Sequence, residues 1–218
     1  MPPIGGGIVG LACALFLARD RADVLLADRN EPGQAASTAN AGSIHVQLVP
    51  YAYAEGSGGP MADALPLSPA SVALWREIAR DADEDLGLRT KGGLVMAETA
   101  AELVARTGRH LSLKQEAGGH LLVGGGWPGA MDAHGATQVL RESLEGNLAL
   151  AARALPGLRG VHVLRAWSGL APHLDRAPVI STTPGLPGLW HAVTGNGYTL
   201  GPLLGPLLGR MVADAVRG

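Results

Sequence analysis

The chain has 218 residues, enough for one large domain or two small ones. Hydrophobic residues make up 47% and charged residues 17%, a balance that argues for a packed globule and against disorder. A net charge of −2 leaves no basic surface for nucleic acid, and 32 glycines without a three-residue period exclude collagen.

The first readable unit runs from Ile4 to Asp28. Ile4-Gly5-Gly6-Gly7-Ile8-Val9-Gly10 contains G-x-G-x-x-G at Gly5, Gly7 and Gly10. A helix pattern follows from Leu11 to Ala18, with Leu11, Leu15 and Ala18 on one face. Asp23-Val24-Leu25-Leu26-Ala27-Asp28 then reads as a short buried strand ending in an acid. Asp28 lies 18 positions after Gly10, close to the ~20 expected of a ribose-binding acid.

The spacing has a physical reason. Gly5 permits the tight turn, Gly7 lets backbone approach a pyrophosphate, and Gly10 lets the helix pack close to the sheet. Unpaired amides and the dipole of the helix N-terminus attract the phosphates. The pattern therefore reads as dinucleotide binding, with an ordinary Gly-rich βαβ turn as the alternative. One feature is unusual: only Met1-Pro2-Pro3-Ile4 precedes the turn, so the first strand is expected to be clipped.

Small residues dominate Pro32 to His45, so backbone there can lie close to a flat ligand. Leu67-Ser68-Pro69 reads as a helix start, with Ser68 as N-cap and Pro69 at the first position. Leu74, Trp75, Ile78, Ala82 and Leu86 would form its apolar face, and Arg76, Glu77, Arg80 and Asp81 its solvated one. Gly92 to Ala97 reads as a strand. Leu111–Gln115 and His120–Val123 read as a hairpin around Gly118-Gly119. Ala136–Leu155 reads as a helix ended by Pro156-Gly157, and Val161–Ala166 as a strand. Pro178–Ile180 and Leu189–Val193 read as two more. Gly195–Gly201 reads as a loop entering a last helix, Pro202–Val216. That helix holds a duplication, Gly201-Pro202-Leu203-Leu204 followed by Gly205-Pro206-Leu207-Leu208. Pro206 requires either a start at the second copy or a bend.

These residues together carry a resemblance. Ala35-Ala36-Ser37-Thr38-Ala39-Asn40-Ala41-Gly42-Ser43-Ile44-His45, Ala73-Leu74-Trp75-Arg76-Glu77, Gly92-Gly93-Leu94-Val95, Gly124-Gly125-Gly126-Trp127-Pro128, Trp167-Ser168-Gly169-Leu170 and Gly195-Asn196-Gly197-Tyr198 follow the Gly motif in order. The set resembles the FAD-dependent D-amino-acid, glycine and sarcosine oxidase family. Within it, the first stretch most resembles bacterial dye-linked D-hydroxyproline dehydrogenase, opine oxidase and hydrogen cyanide synthase flavin subunits.

The resemblance implies an α/β fold: a Rossmann-type FAD-binding parallel sheet with a remnant antiparallel β substrate-type domain. Residues 1–86 and 136–218 would form the FAD-binding parts, and 87–135 the remnant. Gly5, Gly7, Ile8, Val9 and Gly10 would hold the FAD pyrophosphate, with Asp28 and Arg29 at the adenosine ribose. Ala36 and Ser37 would sit by the pyrophosphate, and Asn40, Ala41 and Gly42 along the flavin ring. Gly169, Gly195, Asn196, Gly197, Tyr198, Thr199 and Leu200 would complete the cofactor site, the last six at the flavin pyrimidine edge. His45 and Tyr198 are the candidates for the substrate side. The activity implied is oxidation of the C–N bond of a D-amino or secondary amino acid by hydride transfer to a non-covalently held FAD.

The departures imply an alternative. The stretch that relatives carry between Ala105 and Arg109 is absent, and Ala171 stands where many relatives place an Arg for the substrate carboxylate. The chain would then be a shortened FAD-binding pseudoenzyme, or a subunit that needs a partner chain. An oligomer is expected from exposed sheet edges. An NAD-dependent dehydrogenase is disfavoured by the Gly195–Leu200 loop.

The histidines lack H-x-H or H-x3-H spacing, so no metal is expected. Cys13, the lone cysteine, excludes a disulfide framework and reads as a small buried residue. No signal peptide and no transmembrane run are expected. The compartment implied is the cytoplasm, with peripheral attachment to the inner face of a membrane as the alternative.

Overall fold

The structure is a computed structural model that describes residues 3–44, 46, 63–90, 92, 111–171, 178–195 and 197–217. The chain divides into two compact units, Met1–Val95 with Ala171–Gly218, and Met96–Leu170.

The first unit is organised around two helices, α1 (Ile8–Arg19) and the last helix of the chain, α5 (Gly197–Arg217). α1 is apolar on every side, so periodicity alone cannot say which face is packed. The neighbour decides it. Gly205 of α5 lies against α1 so closely that a Cβ there would fall 2.6 Å from the Ala12 carbonyl carbon and 2.7 Å from the Cys13 amide. A Cβ on Gly197 or Gly201 would meet the Ile8 side chain at 3.2 Å. Glycines spaced by four thus form a seam that accepts the narrow side of α1, Ala12 and Cys13, both 5% exposed. The expected face of Leu11, Leu15 and Ala18 is the outer one; the two leucines are each 37% exposed.

Ile8 meets the start of α5, whereas Ala12 and Cys13 meet its middle. The two helices therefore run in the same direction, with their N-termini at one end. Leu208 and Cys13 form the buried centre, and Leu17, Ile180, Trp190 and Ala192 pack on it. The last three come from an antiparallel hairpin, β5 (Val179–Thr183) and β6 (Leu186–Val193). Both strands overlap the sequence reading; β5 runs on three residues further, to Thr183, and β6 starts three residues earlier, at Leu186.

Helix α5 begins at Gly197, ahead of both copies of the duplication, and carries Pro202 and Pro206 in its interior. The expectation of a loop to Gly201 is corrected accordingly. Packing of the glycine seam and burial of Leu200, Leu204 and Leu208 outweigh the two lost N–H donors.

Helix α3 (Leu67–Asp81) starts one residue before the expected N-cap. Pro66 holds that position, and Ser68 sits inside the first turn, 3% exposed. Pro69 is tolerated because first-turn amides have no intrahelical acceptor. Ser68, Ser71 and Val72 form the buried face. Leu86 lies beyond the helix end, 48% exposed. Glu77 and Asp81, read as solvated, pair with Arg19 of α1 at 2.8 and 2.7 Å. The short helix α2 (Ala36–Ala39) lies between α1 and α3 in the chain.

The parallel sheet expected around Ile4 and Asp23–Asp28 is represented, among the described residues, by one parallel bridge between Ile4 and Ala27. The Gly5 amide donates to the Ala27 carbonyl at 2.8 Å, and the Ala27 amide donates to the Pro3 carbonyl at 3.0 Å. Pro3 has no N–H with which to extend the ladder. Ile4 and Leu25 are 79% and 70% exposed.

In the second unit, β1 (Leu111–Gln115) and β2 (Leu121–Gly125) form the expected antiparallel hairpin. A smaller one joins β3 (Ala130–Met131) and β4 (Thr137–Gln138). The Asp132 carboxylate accepts the His134 and Ala136 amides, each at 2.9 Å, and Gly135 adopts φ +84°. That turn takes residues 136–138 out of the expected helix, which is α4 (Arg141–Ala154). Helix α4 packs on the β1–β2 hairpin, and a 3-10 turn, Pro156–Gly160, follows it. The expected strand Val161–Ala166 forms no regular secondary structure and joins no sheet, with Leu164 78% exposed. The strand expected over Gly92–Ala97 lies almost wholly outside the described residues.

Candidate functional site

The Gly-rich turn joins Ile4 to α1. Gly5 adopts φ +111°, a conformation that side chains disfavour. A Cβ on Gly10 would overlap the Gly5 carbonyl oxygen, and Leu26 Cδ1 lies 3.9 Å from the same point. Gly10 thus lets the first turn of α1 close on the turn and on the segment ending at Asp28.

Gly7 is the N-cap of α1 and has no side chain to cap with. The cap comes from elsewhere: Ser37 Oγ accepts the Ile8 amide at 3.0 Å. The Val9 and Gly10 amides, in the same turn, have no intrahelical acceptor. Asp28 closes the other side. Its Oδ2 accepts the Gly6 amide at 2.5 Å, and its Oδ1 accepts the Asn30 amide at 2.8 Å. The Asn30 bond first, then the Gly6 bond, hold this carboxyl below its ordinary range, and the adjacent Arg29 adds a smaller attraction.

Gly6 is held from both sides, since its carbonyl accepts the Gly33 amide at 2.8 Å. The Gly33 carbonyl accepts the Ala35 and Thr38 amides at 2.9 and 3.1 Å, which starts α2 and places Ser37. Beyond α2, Asn40 Oδ1 accepts the Gly42 amide at 2.8 Å, and Gly42 adopts φ +68°. Ala36 and Ala41 are half-buried.

The first turn of α5 lies beside that of α1, since Gly197 faces the Ile8 side chain. Two parallel helix N-termini therefore share one end of the unit, and their dipoles add there. Thr199 is fully buried and Leu200 is 4% exposed, so these residues offer backbone more than side chain. Gly195 is exposed. The Tyr198 ring stacks on the Trp75 indole at 6.2 Å between centroids and 8° between planes. Trp75 Nε1–H also donates to the Tyr198 carbonyl at 2.6 Å.

The structure thus brings together Gly5, Gly7, Ile8, Val9, Gly10, Asp28, Ser37, Gly197 and Tyr198 within one unit. Gly169 belongs to the second unit. His45 and Asn196 lie outside the described residues.

The model of the FAD dependent oxidoreductase family matches the chain over residues 4–113 and again over 102–215. The chain belongs to this family. FAD is accordingly its cofactor, and membership implies an FAD-binding, Rossmann-like α/β fold. No curated protein and no solved structure matches the chain. Among the described residues, no helix of this family member is long and apolar enough to cross a membrane.

Two features escaped the sequence reading. The glycine seam of α5 was visible as Gly197, Gly201 and Gly205, small residues at a spacing of four. The capping of α1 by Ser37 had no local signal, since its partner is 29 positions away.

Proposed function

We propose that the chain binds FAD non-covalently at the shared N-terminal end of α1 and α5 and oxidises the C–N bond of a D-amino or secondary amino acid. The observation that carries this reading is the pair of parallel helix starts. Unaccepted amides of α1 lie there beside the first turn of α5, an arrangement suited to an anionic diphosphate. Gly5, Gly7 and Gly10 keep that surface free of side chains. Val9 and Gly10 present amides, Ile8 would present its own in exchange for Ser37 Oγ, and Asp28 is ionised and close enough to the turn to take ribose hydroxyls in exchange for the Gly6 amide.

Ala36, Ser37, Asn40, Ala41 and Gly42 continue the surface, and Gly195, Asn196, Gly197, Tyr198, Thr199 and Leu200 supply the second helix start. FAD accepts a hydride from the substrate α-carbon. Tyr198 and His45 are assigned to the substrate side, with the Tyr198 phenol held in place by its stack on Trp75. The chemical type assigned is that of the dye-linked dehydrogenases and opine oxidases, and the parallel sheet, the three-part domain division, the cytoplasmic compartment and association with other chains belong to the same proposal.

A second reading rests on the bridge at Ile4–Ala27, the one parallel pairing among the described residues, and on Ala171. In it the chain binds FAD as a subunit or inactive relative, and another chain completes the sheet and the substrate pocket. Visible absorbance of the purified protein, with flavin released by denaturation, tests the shared part; near-stoichiometric FAD is expected. Anaerobic addition of D-amino and secondary amino acids then separates the two. Bleaching supports the enzyme, whereas bound flavin that no amine bleaches leaves the subunit reading. Protein that takes up no FAD when folded removes both.

A further inference from the structure

We propose that Trp75 is a positioning residue for the cofactor site, a clamp that holds the first turn of α5 where its amides face the ligand. The inference rests on the FAD reading above. It starts from a deficit in the helix. The Tyr198 carbonyl would ordinarily accept the amide four residues on, and that residue is Pro202, which has no N–H. A carbonyl left without a donor in a half-buried first turn draws the helix start toward water or toward another geometry.

Trp75 Nε1–H fills the deficit at 2.6 Å, and the same indole stacks on the Tyr198 ring. One side chain therefore fixes both the backbone and the ring of a single residue. Trp75 is itself anchored. Ser68, Ser71 and Val72 of α3 are buried, and the far end of α3 is tied to α1 through Arg19 to Glu77 and Asp81. The start of α5 is thus located twice relative to α1, by Gly197 and Gly201 against Ile8 and by Trp75 through α3. Hydrogen bonds weaken steeply with misalignment, so a displacement of that turn would reach the ligand directly.

The substitution that isolates the donor is Trp75→Phe, which keeps an aromatic face and removes Nε1–H. Pro202→Ala gives the Tyr198 carbonyl its own helical donor and makes the indole redundant. FAD affinity is read by flavin fluorescence, and melting temperature is read on the flavin-free proteins. Trp75→Phe is expected to weaken FAD about tenfold. In the Pro202→Ala background the same change is expected to alter affinity by less than about twofold. The melting temperatures should show the same dependence on background.

Unchanged affinity in Trp75→Phe overturns the clamp while leaving the FAD reading intact. So does an equal loss in both backgrounds, which would assign the effect to ring packing. An unsubstituted protein that binds no FAD overturns the FAD reading and the clamp's role in it together. Should Pro202→Ala fail to fold, hydrogen exchange of the Trp75 indole in the unsubstituted protein decides. Slow exchange is expected, and exchange at the solvent rate overturns the proposal.

Discussion

The helix α1 and the segment that follows it, Asp23–Asp28, are both strongly apolar, yet they end in opposite situations. Along α1, Ala12 and Cys13 are 5% exposed against the glycine seam of α5. Along the segment, Leu25 is 70% exposed, and among the described residues pairing is limited to the bridge at Ala27. The difference lies in what each element requires of a neighbour. A helix satisfies its own backbone and needs only a surface of the right shape, which Gly197, Gly201 and Gly205 supply. A strand needs donors and acceptors in register, and Pro3 withholds one at the first opportunity. Val161–Ala166 repeats the lesson in the other unit.

The comparison can be broken most severely at the seam. Gly205→Val places a side chain inside the backbone of Ala12 and Cys13, and should destabilise the first unit by about 3 kcal/mol or more in thermal or denaturant unfolding. A loss below about 1 kcal/mol would mean that the helices are not in this contact. Gly10→Ala acts at the other end of α1. Its Cβ meets the Gly5 carbonyl oxygen, so a loss of about 2 kcal/mol is expected together with loss of retained flavin. Ser37→Ala removes the distant cap of Ile8 and should lower stability by about 1 kcal/mol.

The pH dependence sharpens the same corner. Asp28 titrates below its ordinary value in the folded chain, so folding favours the carboxylate. Its contribution is present above the unfolded pKa and is lost as pH falls through the folded one. Asp28→Asn should therefore flatten the acid limb of a stability–pH curve below about pH 4 and leave neutral pH less affected. Asp85, which pairs with Arg89 and is held at about 2, adds a similar limb, and Asp85→Asn is the control for it. The smallest effect belongs to the unpaired segment. Leu25→Thr should change stability by less than about 0.5 kcal/mol and reduce self-association in light scattering.

The sequence was most informative where a local rule decides the structure. The G-x-G-x-x-G turn, the hairpin around Gly118-Gly119 and the existence of strands β5 and β6 follow from turn residues and spacing. It misled where a partner decides. The packed face of α1 depends on glycines almost 200 positions away, and the start of α5 depends on burial that outweighs two prolines. Residues 136–138 followed Asp132 into a hairpin, against a helical pattern that continues into α4. In the candidate site, the glycines and Asp28 were legible, whereas the contributions of Ser37 and Trp75 to neighbouring backbone were not.

The duplicated Gly-Pro-Leu-Leu in α5 has a consequence for how this helix can change length. Four residues advance an α-helix by about 6 Å and by about 40° beyond a full turn. Adding one copy therefore keeps Gly-Pro-Leu-Leu opposite Ala12 and Cys13, and removing one brings Gly209 to the place of Gly205 at nearly the same azimuth. Elsewhere in a packed helix a change in length rotates the wrong residues inward. Here the unit of insertion and deletion matches the unit of contact, so the helix can grow or shrink by one step and still find the same partner.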